Sequence, residues 1–291
     1  MEAFSFWNPT KIHFGNGKIK LLGQEMADAG ITSCLLIAGG GSIRTNSVYD
    51  QVISSLAEHH IEVTEIWGVR ANPTLEKARE ATLSARKHQV QAILAVGGGS
   101  VIDTAKAVAA GVYLEDVWHA FTRQETITRA LPLYTVLTLS ATGSEMNGSA
   151  VITNTDTKQK WGLFSPHLYP RVSIIDPSVQ NSLSFKQTAN GAMDAMAHIL
   201  EYYFASQDAA VTLGISDALQ KTIIEMTDKL KLNSADTNAR ANLAWCATLA
   251  LNGLSGVGMR YGDWACHGIE HAFSAQHPDI AHGEGLGVIF P

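Results

Sequence analysis

Two apolar runs of this chain each end in three glycines and a serine: Ile37-Ala38-Gly39-Gly40-Gly41-Ser42 and Ala95-Val96-Gly97-Gly98-Gly99-Ser100. Each run is short and β-rich, and each glycine turn leads into a helical pattern, so the pair constrains the fold strongly. SCLLIAGGG (33–41), IEVTEIW (61–67) and QAILAVGGGS (91–100) read as strands. SVYDQVISSLAEHH (47–60), LEKAREATLSARKH (75–88) and VIDTAKAVAAG (101–111) read as helices. Strand and helix in alternation imply βαβ units, and hence a parallel sheet with helices on both faces. LPLYTVLTLS (131–140), SAVITN (149–154) and RVSIID (171–176) continue the β-like series.

After Asp176-Pro177 the character changes. NSLSFKQTANGAMDAMAHILEYYFA, VTLGISDALQKTIIEMTDKLK and NARANLAWCATLALNGLSG are helical by period and rich in alanine and leucine. The expected organisation is an α/β dinucleotide-binding domain with a Rossmann-like parallel sheet over 1–177, then an all-α metal-binding domain over 178–291. The chain stops on the apolar GVIFP with no cap and no polar tail, the pattern of a truncated helical domain. With 291 residues and 46% hydrophobic residues, two buried cores are within reach.

Charge and segment pattern exclude several classes. The net charge is −6 and no basic cluster is present, so nucleic acid is not a partner. MEAFSFWNPTKIHF has no basic start followed by a long apolar run, so it is not a signal peptide. No apolar stretch reaches the roughly 18 to 20 residues of a membrane span. Three scattered cysteines (Cys34, Cys246, Cys266) read as reduced thiols of a cytoplasmic protein.

Glycine after a strand lets the backbone turn sharply and lets a phosphate approach its N–H groups. Ser100 and Asp103 open a helix whose N-terminus favours an anion. Neither turn is a GxGxxG fingerprint or a Walker loop, so the expected cradle is of another kind. NAD enzymes place a carboxylate near the adenosine ribose, whereas a 2′-phosphate needs small donors and a cation. Gly39, Gly40, Gly41 and Ser42 followed by Arg44 favour NADP(H) over NAD(H).

Asp194 and His198 are four apart on an expected helix and share a face, as two ligands of one ion must. DWACHGIEHAFSAQHPDIAHGEG holds His267, His271, His277 and His282, four of the eleven histidines in sixteen residues. His267 and His271 share a helical face, and spacing does not choose between them. An aspartate with three neutral imidazoles suits Fe²⁺ or Zn²⁺ and leaves a position open for substrate. No HExxH is present, since Glu270 precedes His271 instead of following a histidine.

Together these residues resemble the iron-containing alcohol dehydrogenases, most closely their NADPH-dependent butanol dehydrogenase-like branch. The resemblance runs from FxFxNPTKIxFGxG (Phe4 to Gly17) through GGGSIR, the NPT at 72–74, GGGSVIDTAK at 97–106 and TLSATGSEMN at 138–147. It ends on the Asp194/His198 helix, HGIEH and HGEG. It implies that Asp194, His198, His267 and His282 are metal ligands and that His271 lies between metal and nicotinamide. It places Gly98, Gly99, Ser100 and Asp103 at the pyrophosphate, Thr138, Thr142 and Asn147 beside the nicotinamide half, and Lys160 at the ribose. Asn72 joins this cofactor-binding set.

The stretch Gln276–Ala281 is one residue longer than the family pattern, which keeps His277 as the alternative to His282. Family members also continue for roughly another hundred residues of helix. The implied reaction is reversible hydride transfer between NADP(H) and a primary alcohol or aldehyde, in a homodimer. The alternatives are a dehydroquinate synthase-like lyase of the same fold and an inactive nucleotide- or metal-binding protein. The lyase reading is weakened by the few lysines and arginines around Asp194 and His267.

Overall fold

The computed structural model describes residues 1–205 and 208–291. Its strands are β1 (Lys11–Phe14), β2 (Ser33–Ala38), β3 (Glu62–Ile66), β4 (Ala92–Gly97), β5 (Leu133–Leu137), β6 (Ser149–Asn154), β7 (Gln159–Phe164) and β8 (Val172–Ile175). Six of them form one sheet in the order β1-β8-β5-β4-β2-β3, with every pairing parallel. Side chains alternate across it, and both faces are covered. Leu36, Ala38, Leu94 and Val96 pack with Met26, Val52 and Leu56 on one side. Leu35, Ile37, Ile93 and Ala95 pack with Ala81, Val101, Ala105 and Val108 on the other. The central strands β2 and β4 are buried on both faces and have no polar face to show, and that is why they read as unbroken apolar runs.

Two strands had no counterpart in the sequence reading. β1 is half-exposed along KIHF, and β7 alternates weakly in QKWGLF, so neither carries a clean apolar run. β7 pairs with β6 as an antiparallel hairpin outside the main sheet. SAVITN is therefore a strand, as expected, but not of the parallel sheet. The run at 131–140 ends as a strand at Leu137, and Thr138 turns away with its N–H on the Gly97 carbonyl at 3.0 Å.

Beyond residue 184 the described chain is helical. Phe185–Tyr203 opens with a capping box in which Ser184 and Gln187 bond reciprocally. Such a cap satisfies two otherwise orphaned donors and fixes where the helix starts. That helix, Ala210–Leu232 and Thr237–Ala250 share a core of Ala195, Ile199, Leu219, Ile223, Leu243 and Ala247. Ala265–Ser274 and His282–Ile289 follow, so GVIF closes a helix and is not an extended run. Gly283 sets the last docking: a Cβ there would lie 1.9 Å from the Asn190 carbonyl oxygen. Only glycine lets the two helix backbones meet so closely. Among the described residues no helix is long and apolar enough to cross a membrane.

Candidate metal and cofactor site

On Phe185–Tyr203, Asp194, His198 and Glu201 follow at i, i+4 and i+7, and all three are buried. The contact at Gly283 brings His282 to this face, and Ala265–Ser274 brings His267. Asp194 Oδ1 stands 3.5 Å from His198 Nε2, 3.5 Å from His282 Nε2 and 4.0 Å from His267 Nε2. Asp194 Oδ1 and His267 Nε2 are buried without any hydrogen-bond partner. Each unpaired buried polar atom costs about 1–3 kcal/mol. A divalent cation among these atoms would satisfy them, and Asp194, His267 and His282 offer donor atoms within 4.8 Å of one another.

Burial also sets the protonation such an ion requires. It pushes the His198 imidazole down to about 4. It holds His267 and His282 below the usual histidine range as well. Three neutral imidazoles result. Burial pushes the Asp194 carboxyl up, with His282 and His267 pulling it back down.

Two further carboxylates hydrogen-bond the rings. Glu201 Oε1 accepts from both Nδ1 and the backbone N–H of His267, each at 3.0 Å. Glu270 Oε2 hydrogen-bonds His282 Nδ1. A carboxylate only accepts, so each Nδ1 carries the proton and each Nε2 turns its lone pair inward. Sequence reasoning missed both residues. The signal for Glu201 was its place one turn beyond His198. Glu270 was considered only as a failed HExxH glutamate.

His271 has its ring centroid 5.3 Å from that of His282 and 6.4 Å from that of His267. It lines a cavity of about 700 Å³ with Phe121, Lys160, Trp161 and Gly162 from the α/β part and Gly268 beside it. His277 is exposed and packs on Phe273 at 4.7 Å between ring centroids, outside the group around Asp194.

The glycine turns come together at the sheet edge. β2 and β4 are neighbours with Ala38 opposite Val96, so Gly39–Ser42 and Gly98–Ser100 leave the sheet side by side. Here the strand order reverses, where open α/β sheets bind ligands. Gly41 has φ +110° and begins the short helix Ser42–Thr45. Gly99 lets the 138–143 loop close in, since a Cβ there would sit 2.4 Å from Thr142 Cγ2.

Several expected cofactor residues are engaged with protein. Asp103 accepts from Ser144 Oγ at 2.6 Å and from the Val151 N–H at 3.0 Å. A carboxylate would repel a pyrophosphate, and here it ties β6 to the Gly99–Gly111 helix instead. Asn147 donates to the Gly143 carbonyl at 2.9 Å and accepts from Lys106 Nζ at 3.0 Å. Lys106, overlooked in the sequence, is fully buried, and desolvation lowers its ammonium to about 7 against the pull of Asp103 and Glu145. Lys160 Nζ donates to Asn72 Oδ1 at 2.9 Å, Glu270 Oε2 at 3.1 Å and Ser274 Oγ at 2.9 Å. Asn72 and Lys160 thus sit against the helical part. Arg44 rests 4.2 Å from the Trp67 ring centroid and 3.5 Å from Glu65 Oε2.

Comparison with known proteins bears on the family and the fold. Residues 9–177 match the iron-containing alcohol dehydrogenase family, and 188–291 match the Fe-containing alcohol dehydrogenase family C-terminal region. A probable NADH-dependent butanol dehydrogenase 1 of Bacillus subtilis is 41% identical over 100% of this chain and 75% of its own length. The NADPH-dependent aldehyde reductase YqhD of Escherichia coli is 37% identical over 100% of this chain and 75% of its own. The crystal structure of NADH-dependent butanol dehydrogenase A from Thermotoga maritima superposes with a TM-score of 0.97 at 55% identity, covering 98% of this chain and 72% of that one. The chain belongs to the iron-containing alcohol dehydrogenase family, in its butanol dehydrogenase-like branch.

Proposed function

We propose that this protein interconverts primary alcohols and aldehydes with NADP(H), using one Fe²⁺ or Zn²⁺ held by Asp194, His198, His267 and His282. One observation carries the reading: Asp194 Oδ1 faces three imidazole Nε2 atoms at 3.5–4.0 Å, beside a cavity between the two parts of the molecule. The chemistry supplied there would be Lewis-acid polarisation of a carbonyl oxygen by the ion and a hydride from the nicotinamide.

The chain's own residues do the rest. Glu201 holds the His267 ring in the tautomer that leaves Nε2 free. Backbone N–H groups of Gly98–Ser100, at a helix start, receive the pyrophosphate. Thr138 and Thr142 border the nicotinamide half, and Gly39–Ser42 with Arg44 receive the adenosine 2′-phosphate. The cavity walls position the substrate and exclude part of the water. His271 faces that cavity and relays the proton between the substrate oxygen and solvent. Burial and the nearby Lys160 keep its ring neutral, and so able to accept one.

Cofactor choice rests on local residues, since similar proteins carry both NADH-dependent and NADPH-dependent names. Purified protein should contain about one equivalent of Fe or Zn and oxidise NADPH in the presence of butanal. Protein reconstituted with either ion that remains inactive toward butanal and longer aldehydes would sink the proposal.

A further inference from the structure

Glu270 is the least exposed charged group near the metal cluster, with none of its surface open to solvent. Its Oε2 serves two partners from different parts of the chain: His282 Nδ1, and Lys160 Nζ at 3.1 Å. Lys160 stands on β7, and its ammonium also holds Asn72 Oδ1 at 2.9 Å and Ser274 Oγ at 2.9 Å. Asn72 in turn donates its amide to the carbonyls of Pro278 at 3.0 Å and Ile280 at 2.9 Å, in the segment that delivers His282. The His282 ring and its loop are therefore gripped from the α/β side through one lysine, one asparagine and one glutamate.

Space has been cleared for that glutamate. A Cβ on Gly285 would lie 3.0 Å from Glu270 Cγ and 3.2 Å from Oε1. That residue is one turn beyond His282, on the same helix. A buried ion pair rarely stabilises a fold more than apolar residues of the same volume. Burying Glu270 against an imidazole needs another reason, and ring orientation supplies one.

We propose that Glu270 is a positioning residue, which fixes the His282 ring for the metal and ties it, through Lys160 and Asn72, to the α/β half of the cleft. The proposal rests on the metal reading above. Its carboxylate can only accept, so His282 keeps its proton on Nδ1 and presents the Nε2 lone pair toward Asp194 Oδ1, 3.5 Å away.

The test is Zn²⁺ affinity, measured by chelator competition on the whole protein, with thermal unfolding of the metal-free forms alongside. Partners of this kind are typically worth about 10- to 100-fold in metal affinity. Glu270→Gln, which keeps an acceptor but loses the charge, should weaken Zn²⁺ about 10-fold. The pair Glu270→Leu with Lys160→Met removes both charges together and should weaken it about 100-fold. Gly285→Ala displaces the carboxylate without deleting it and should also weaken Zn²⁺, which covers the case where the other variants do not fold. Metal-free melting should stay near that of the parent in the double variant, which leaves no charge unpaired, whereas Glu270→Gln leaves the buried Lys160 ammonium without its partner and should melt lower. Wild-type Zn²⁺ affinity in these variants, with affinity lost in Asp194→Ala, would make Glu270 a structural ion pair and overturn the proposal. Failure of the parent itself to bind Zn²⁺ would overturn the metal reading along with it.

Discussion

At the ends of β2 and β4 the chain presents mostly backbone, three glycines and a serine at each turn. Where Phe185–Tyr203, Ala265–Ser274 and His282–Ile289 meet, it packs two buried imidazoles (His198, His267) and two half-buried ones (His271, His282) with the buried carboxylates of Asp194, Glu201 and Glu270. The first region works through the shape of the chain. The second works through side chains whose protonation is set by burial. A backbone cradle tolerates the loss of any one side chain, whereas a charged cluster fails when one member goes.

The largest effect should therefore fall on the second region. Asp194→Ala or His267→Ala should remove the bound ion and lower kcat/KM by about 10³-fold or more, since Lewis-acid stabilisation is worth several kcal/mol. Metal analysis and steady-state kinetics read this out. His282→Ala should lose the ion and His277→Ala should keep it. Gly99→Val is the matching injury to the first region, because its side chain would meet Thr142 within 2.4 Å. It should cost about 1–3 kcal/mol of stability, as overpacking does, and raise the cofactor Kd while the metal content stays unchanged. If Gly99→Val also empties the metal site, the two regions are not separable and the comparison breaks.

The same contrast explains what could be read from sequence. The cradle is a local string, and its two copies stood out within the strand–helix alternation that declared the parallel sheet, whereas the switch point between β2 and β4 needed the strand order of the folded sheet. The Asp194/His198 pair was legible because four residues make one helical turn, and the histidine density marked the second ligand segment. Glu201 and Glu270 were not legible as ring partners, because their roles depend on which residues tertiary packing brings opposite them. The Gly283 contact with Asn190, which brings His282 to Asp194, carries no local signature either. β1 and β7 were missed because they are half-exposed and have neither the apolar run of β2 and β4 nor the β-branched alternation that marked IEVTEIW.

His271 lines the cavity beside the metal cluster and should give an intermediate effect. His271→Ala should retain both ion and cofactor while lowering turnover about 10²- to 10⁴-fold, the usual range for an acid–base group. Burial, with Lys160 nearby, holds its imidazole well below the ordinary value of 6.5. Turnover of the parent should therefore fall only on the acid side of that value, as the ring becomes protonated and can no longer accept. The variant should lack this acid limb, and His271→Gln, which cannot titrate, should not restore it. Unchanged turnover and profile would leave His271 as packing, and loss of the ion would make it a ligand.

The smallest effect concerns the choice between NADPH and NADH, which the first region must make with few charges. Gly39–Ser42 supply no carboxylate to repel a 2′-phosphate, and Arg44 supplies a nearby cation. That cation is not free: it lies over Trp67 at 4.2 Å and Tyr49 at 5.0 Å, with Glu65 Oε2 at 3.5 Å. Arg44 is also more than half exposed, so water and salt screen whatever it binds. A charge-assisted contact of this kind is worth about 1–3 kcal/mol, or roughly 5- to 150-fold in Kd. The ratio of dissociation constants for NADPH and NADH, taken at low and high salt, measures it. NADPH should bind more tightly, and the advantage should shrink as salt rises. Glu65→Gln releases Arg44 from its competitor and should widen the ratio, whereas Arg44→Ala should narrow it. Gly39→Asp should reverse it, and the fold has room for that change, since a Cβ there comes no nearer than 3.5 Å to the Val69 carbonyl oxygen. Equal affinities in the parent, untouched by Arg44→Ala, would show that the cradle reads only the phosphates the two cofactors share.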